Sequence, residues 1–481
     1  MNLRQQAASG AKWTTASMIV TSAVFFLQLS ILTRLLSSKD FGLMAMIMVV
    51  LGFAQAYSDM GISNAIIYRQ NATKEQLSSL YWTNILAGVI VFFLVLLATP
   101  FITKFYNEPR LSSLLPWASI IFLIIPIGQQ YQILLQKELL FRPLALTEIA
   151  GSLAGFTAAV FSACQGLEVF SLILGQIANC TIKSLFFSII GFRRWRPHFH
   201  LKMKDLKGYL LFGFYQMGEK SINYLSANLD YIMIGRFLGA DILGFYTLAY
   251  QMIIFPLQKI NPIINKIVFP VFAIVKEDEK VLRKGFLEVT KLLSYVSFPL
   301  LTGLAVTAPL VIPFLFGSGW HPSILLIQIL ALVGILKVLG NPNGSILLAK
   351  GRVDIGFKWN IFVAISNSLF FYFAAQHSVY HVAWIYLISS IIYFYFFKNI
   401  MNHIINVPWI VYFKAMVWPL LFSFVMGALV FFINILRTPL TDTTTVIIQI
   451  SFGCFIYLSM IIIFQKKYFF SILKLFLQRG F

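Results

Sequence analysis

The stretch RLLSSKDFGL, Arg34–Leu43, is written a second time as RFLGADILGF, Arg236–Phe245. With the arginines superposed, Arg34, Leu36 and Gly42 fall on Arg236, Leu238 and Gly244, while Phe41 and Leu43 meet Leu243 and Phe245. Three identities in ten positions carry little alone, so the fold turns on whether the surroundings of the two copies are duplicated as well.

The chain has 481 residues, of which 59% are hydrophobic and 11% charged, against about 25% charged in soluble domains. Its mean hydropathy is +0.82. That balance excludes a soluble globule. Apolar runs of about 20 residues, enough to cross a hydrocarbon core, recur from Trp13 onward with short polar interruptions. The expected class is therefore all-α, a polytopic transmembrane bundle of about fourteen spans. Their centres fall near residues 24, 53, 91, 125, 154, 181, 225, 256, 304, 335, 366, 391, 421 and 454. The first run is full length and is followed by no small-residue cleavage site, so it reads as a span and not as a cleaved signal. Cys164, Cys180 and Cys454 stand singly, without CxxC spacing, and read as packing residues.

Placing the N-terminus in the cytoplasm puts 26 Lys and Arg on that side and six on the other: Arg34, Lys39, Lys104, Arg110, Arg236 and Arg437. By the positive-inside rule both termini are cytoplasmic. The net charge of +20 and the run RRWRPHFHLKMKDLK from Arg193 are met by that rule and by anionic headgroups, so no nucleic-acid partner is expected.

The two copies of the phrase end the first and seventh helices on the outward side. LLQK at Leu134–Lys137 likewise has a counterpart in LLAK at Leu347–Lys350. Two six-helix halves, 1–200 and 201–405, follow from this, with two added helices and a cytoplasmic tail in 406–481. An even number of spans per half makes the repeat parallel, a plan associated with transporters that rock about a central cavity.

On RLLSSKDFGLMAMIMVVLGFAQAYSDMGISNAII (34–67) and NLDYIMIGRFLGADILGFYTLAY (228–250), the chain resembles the polysaccharide exporters of the multidrug/oligosaccharidyl-lipid/polysaccharide flippase superfamily. The likeness is greatest to the branch of colanic-acid and teichuronic-acid exporters. It implies a flippase that moves undecaprenyl-diphosphate-linked repeat units across the bacterial inner membrane by alternating access. Polysaccharide assembly proteins and membrane lipids would be its partners.

Charged side chains within spans cost at least about 2.5 kcal/mol each and so face a cavity or a partner. Lys183, Lys220, Lys259 and Lys337 are expected to bind the diphosphate, as compact cations with three donors each. Lys266, near an inner end, reads as snorkelling to headgroups. Arg34, Asp59, Glu219, Asp230 and Arg236 are candidates for gating or coupling. The two arginines would close an outer gate through Asp40 and Asp241. A carboxylate such as Asp59 or Asp230 could take a proton or Na⁺, or could be a structural ion pair; Glu148 reads as interfacial. GNPNG at Gly340–Gly344, Pro126 with Gly128, and Pro256, Pro262 and Pro270 are hinge candidates. GSLAG, Gly151–Gly155, suits close helix packing.

Two other functions remain open. An ion-coupled drug exporter would favour carboxylates over this excess of lysines at depth. A membrane glycosyltransferase or polymerase would need a substantial outward loop, and every outward loop here is short. No metal-ligand cluster or phosphate-binding Gly-rich loop occurs in the polar segments, so neither an enzyme nor a bound cofactor is expected.

Overall fold

The computed structural model describes residues 3–61, 66, 72–206, 209–275, 278–435, 442–466, 468 and 470, and among them every regular element is helical. The long helices are α1 (Leu3–Leu35), α2 (Ser38–Ser58), α3 (Lys74–Tyr106), α4 (Leu111–Lys137), α5 (Phe141–Cys164), α6 (Val169–Phe192) and α7 (Tyr209–Ala227). They continue as α8 (Leu229–Ile274), α9 (Glu279–Phe316), α10 (Pro322–Ala349), α11 (Val353–Ala375), α12 (Val379–Ile405), α13 (Trp409–Ile435) and α14 (Asp442–Phe464). Twelve of the described helices are long and apolar enough to cross a membrane. The other two, α7 and α11, stand where spans are expected but are diluted by Glu219, Lys220 and Asn223, and by Lys358, Asn360 and Asn367.

Local chemistry sets the helix ends. Ser37 and Asp40 form a reciprocal capping box at the start of α2, and Thr73 with Gln76 does the same for α3. The seventh span departs from expectation. Glu219 and Asp230 do not share one helix, because α7 stops at Ala227 and α8 begins at Leu229. The Asn228 side-chain amide donates to the Tyr224 carbonyl at 2.8 Å, taking the place of a backbone donor and breaking the ladder. A second break follows at Gly239, whose φ of 83° only glycine adopts freely. The eighth span is thus the part of α8 beyond Gly239.

The hinge candidates at Gly340–Gly344 and at Pro126 with Gly128 both lie inside helices. α10 runs unbroken through Pro342. Gly128 lies against α6, where an added Cβ would stand 2.5 Å from the Ser184 Cα, and the Ser184 hydroxyl donates to the Ile124 carbonyl at 2.8 Å. GSLAG packs α5 onto α6: a Cβ at Gly151 would meet the Lys183 stem at 2.5 Å, and one at Gly155 the Gly175 carbonyl at 2.9 Å. The side chains of Pro262 and Pro270 lie outside the described residues.

The chain divides into two compact units, Met1–Gly244 and Phe245–Gln478. In the first, α5 packs between α1 and α6, and Tyr81, Tyr131, Phe187 and Trp195 form an aromatic cluster. The second has α9 packed on α10 and α13. One of its cores joins Phe272, Phe286, Phe298, Leu339, Met401 and Tyr412.

The repeated phrase forms the same helix–turn–helix corner twice within the first unit. One corner turns at the capped Ser37 and the other at Gly239, the aligned position. The corners then pack on each other reciprocally. A Cβ at Gly42 would overlap the Ala240 carbonyl, and a Cβ at Gly244 would overlap the carbonyl of Ser38, the residue aligned with Ala240. Each glycine makes room for the other copy's backbone.

This contact predicts opposite signs for two glycine substitutions. Gly42→Ala should destabilise by about 1–3 kcal/mol through overpacking. Gly340→Ala, in a continuous helix with nothing near an added Cβ, should stabilise by about 0.5–1 kcal/mol. Thermal unfolding of both variants in one detergent reads the difference, and equal midpoints would contradict the close approach at Gly42.

Candidate functional site

From Met48 on, α2 lies against α7. The Tyr224 hydroxyl donates to the Met48 carbonyl at 2.8 Å, and its ring fills the space where a Gly52 side chain would stand. Just past the far end of α2, Met60 and Gly61 take left-handed conformations, φ 45° and 64°, and the Met60 carbonyl occupies the place of a side chain at Gly213. Between these contacts lies a polar chain. Asp59, the C-cap of α2, receives the Lys220 ammonium at 2.9 Å and the Gln129 amide at 2.7 Å. Gln129 in turn accepts from the Asn84 amide at 3.4 Å. The Asn84 carbonyl oxygen is buried without a hydrogen-bond partner among the described residues.

The pair is asymmetric. Side-chain exposure is 9% for Asp59 and 41% for Lys220, so a nearly buried carboxylate is neutralised by a cation that remains reachable. Burial disfavours that carboxylate, and so does its place at the negative end of a helix dipole. Lys220 and the Gln129 amide offset both. Glu219, one residue earlier and about 100° around the helix, is exposed and turned away.

The other expected lysines have separate surroundings. Lys183 pairs with Glu148 at 2.6 Å, across the α5–α6 contact. In the second unit, Lys337 donates to the Tyr250 hydroxyl at 3.1 Å and lies 5.1 Å and 4.9 Å from the Tyr250 and Tyr386 ring centres, a cation held by two phenols. The side chains of Lys259 and Lys266 lie outside the described residues. Lys398, counted from sequence only among the 26 basic residues of the cytoplasmic side, is buried; it donates to the Val407 carbonyl at 2.7 Å beside the rings of Trp409 and Tyr412.

At the glycine corner, Asp40 is engaged by Ser37 and lies 3.8 Å from Arg110, and Asp241 accepts from the Ser38 hydroxyl. Arg34 and Arg236 are exposed, the latter over the Phe105 ring at 5.7 Å. Asp230 is buried and accepts from the Tyr231 amide at 3.0 Å. Among the described residues no group of three or more His, Cys, Asp or Glu is placed to hold a metal ion.

Asn84, Gln129, Tyr224, Tyr250 and Tyr386 were not singled out from sequence. The available signal was polar residues inside apolar runs, as in YWTNIL and PIGQQYQ.

A family model described as polysaccharide biosynthesis protein matches residues 31–325. The teichuronic acid biosynthesis protein TuaB of Bacillus subtilis is 37% identical over 435 residues, covering 90% of each chain. The lipopolysaccharide biosynthesis protein WzxC of Escherichia coli is 37% identical over 362 residues, covering 75% of this chain and 74% of that one. Among solved structures, the lipid II flippase MurJ in an inward closed conformation shares the fold with a TM-score of 0.73 at 16% identity, covering 96% of this chain and 99% of that one.

Unequal burial of the ion pair sets the expected stability effects. Lys220→Met strands a buried carboxylate and should cost more than Asp59→Asn, which leaves a half-exposed lysine. The difference should be about 1–2 kcal/mol, below the 3–5 kcal/mol of a fully buried pair because Lys220 is partly solvated. The double variant should recover part of the loss. Unfolding midpoints of the four proteins complete the cycle, and a larger loss in Asp59→Asn would refute the asymmetry.

Proposed function

The chain belongs to the polysaccharide biosynthesis protein family, and on that premise we propose that it is a flippase for undecaprenyl-diphosphate-linked oligosaccharides. It carries them from the cytoplasmic to the outer leaflet of the bacterial inner membrane by alternating access. Relatives named for teichuronic acid and lipopolysaccharide biosynthesis, and a fold shared with a lipid II flippase, support this reading. A multi-pass helical membrane protein is the scaffold it needs. Both termini lie in the cytoplasm, as the excess of basic residues on that side indicates. The protein is a transporter and not an enzyme, and it works with the assembly proteins that make and polymerise the cargo.

The observation that carries the mechanism is the half-exposed Lys220 held on the buried Asp59. A diphosphate offers Lys220 more negative charge than one carboxylate does, and so draws the ammonium away. Asp59, left buried beside the Gln129 amide, then takes a proton or Na⁺, which couples cargo entry to an ion gradient. Lys337 between its two tyrosines offers a cation in the second unit, with phenol donors able to share a phosphate oxygen. Lys183 and Lys259 complete the proposed set, Lys183 by release from Glu148. Rocking of the halves 1–200 and 201–405, with 406–481 appended, parts the glycine corner at the outer end, where Arg34 and Arg236 flank the opening. Asp230 and Glu219 serve as gating or coupling groups on the helices that move.

Reconstitution with fluorescent undecaprenyl-diphosphate oligosaccharide tests the reading directly: the protein should transfer it between leaflets. A charge-assisted hydrogen bond contributes about 1.5–3 kcal/mol, so Lys220→Ala and Lys337→Ala should each slow transfer by about 10–100-fold. Normal transfer by the double variant would remove these lysines as the diphosphate site, and no transfer by the parent would remove the cargo.

The outer corner makes its own prediction. A disulfide between Ser38→Cys and Asp241→Cys, whose native side chains touch, should stop transport until reduced. Transport that persists with the bridge formed would show that the corner does not open.

A further inference from the structure

The segment 193–206 joins α6 to α7, and we infer that it is a strap that binds the anionic headgroup layer of the bilayer. It is a built structure. The Trp82 indole donates to the His198 carbonyl at 2.8 Å, and the His198 amide donates to the Ser78 hydroxyl at 3.2 Å. The buried Ser79 hydroxyl accepts from the Lys202 amide at 3.3 Å and stands 3.1 Å from the Asp205 carboxylate. The His200 ring meets the same carboxylate at 2.8 Å. That hydrogen bond, with a smaller one from Ser79, holds the Asp205 carboxyl below the usual carboxylate range.

These anchors fix the depth of the strap. Ser78, Ser79 and Trp82 lie in the first three turns of α3, within about 12 Å of its start at about 1.5 Å per residue. The strap itself leaves the end of α6 at Phe192. It therefore runs level with the ends of two spans, at the height where indoles settle between hydrocarbon and water.

What the strap turns outward is apolar and basic. Phe199, stacked at 4.8 Å on the Trp82 ring, Leu201, and Met203 at the start of the short helix Met203–Leu206 are all exposed. Arg193, Arg194, Arg196, Lys202 and Lys204 are exposed beside them. The one acid in the segment, Asp205, faces inward to His200 and Ser79. Three large apolar side chains rimmed by bases are poorly suited to water and well suited to the boundary of headgroups and acyl chains. The charge selects anionic lipid. Because the strap is the covalent link between the sequence halves, its hold on the bilayer fixes the end from which α7 departs.

A nitroxide at Leu201→Cys, in the full-length chain with its three native cysteines replaced by alanine, reports depth by electron paramagnetic resonance. In phosphatidylcholine nanodiscs containing phosphatidylglycerol, the label should be accessible to oxygen and shielded from a water-soluble nickel chelate, at a depth of about 5–10 Å. Without phosphatidylglycerol the shielding should fall. High salt should produce the same loss in the unsubstituted strap, as should combined Arg193→Gln, Arg196→Gln, Lys202→Gln and Lys204→Gln. Equal chelate access in both bilayers, or shielding that survives both salt and charge removal, would overturn the proposal and leave the face to a protein partner.

Discussion

A carboxylate buried at the negative end of a membrane helix is tolerable only with a cation beside it. At Asp59 that cation comes from a helix 161 residues further along the chain. To deliver Lys220, α7 must lie against α2. Gly213 lets the two backbones meet beyond the end of α2, and the Tyr224 ring seats against Gly52 and Met48, while the start of α8 takes over at the glycine corner. α2 thus touches α3, α4, α6 and α7, and it meets opposite charges at both ends: Arg110 and Glu108 beside Asp40 and Lys39, and Lys220 at Asp59.

The seam unites segments that the expected repeat assigns to different halves. α2 comes from the first sequence half, and α7 with the start of α8 from the second, yet all three fall within the compact unit that ends at Gly244. The repeat records how the chain is written twice; the compact unit records what packs together. At the corner the two descriptions coincide, because each glycine accommodates the backbone of the other copy. There backbone meets backbone, Gly42 with Ala240 and Gly244 with Ser38, and this is the contact proposed to close and part. The Lys220–Asp59 pair suits the same purpose, since a half-exposed cation can be drawn away by a stronger anion while its buried partner cannot follow.

The corner was legible in the sequence and the pairing was not. Gly42 and Gly244 align in RLLSSKDFGL and RFLGADILGF because the backbone geometry needs them, whereas Ser37 and Gly239 make the same turn by different means, a side-chain cap and a left-handed φ. That difference keeps the identity low while the shape is retained. Span positions were legible from length and apolarity, with α7 shortened by Asn228. Pairing was hidden for a physical reason: helices with lipid on one side and protein on the other are apolar all round, so no amphipathic stripe shows which face meets which neighbour. Lys183 gave no sign of preferring Glu148, nor Lys337 of lying between Tyr250 and Tyr386. Nor did the sequence show Lys398 reaching the Val407 carbonyl.

The central claim is that the α2 seam opens at its outer end when cargo takes Lys220 from Asp59. Its most direct test is the distance between nitroxides on Lys39→Cys and Phe237→Cys, one on each corner, measured by double electron–electron resonance in nanodiscs. The account predicts a short distance in the empty protein and a second, longer one that grows in population on adding an undecaprenyl-diphosphate oligosaccharide, with Lys220→Ala insensitive to the addition. A single unchanged distance in protein that still transports the cargo would contradict it.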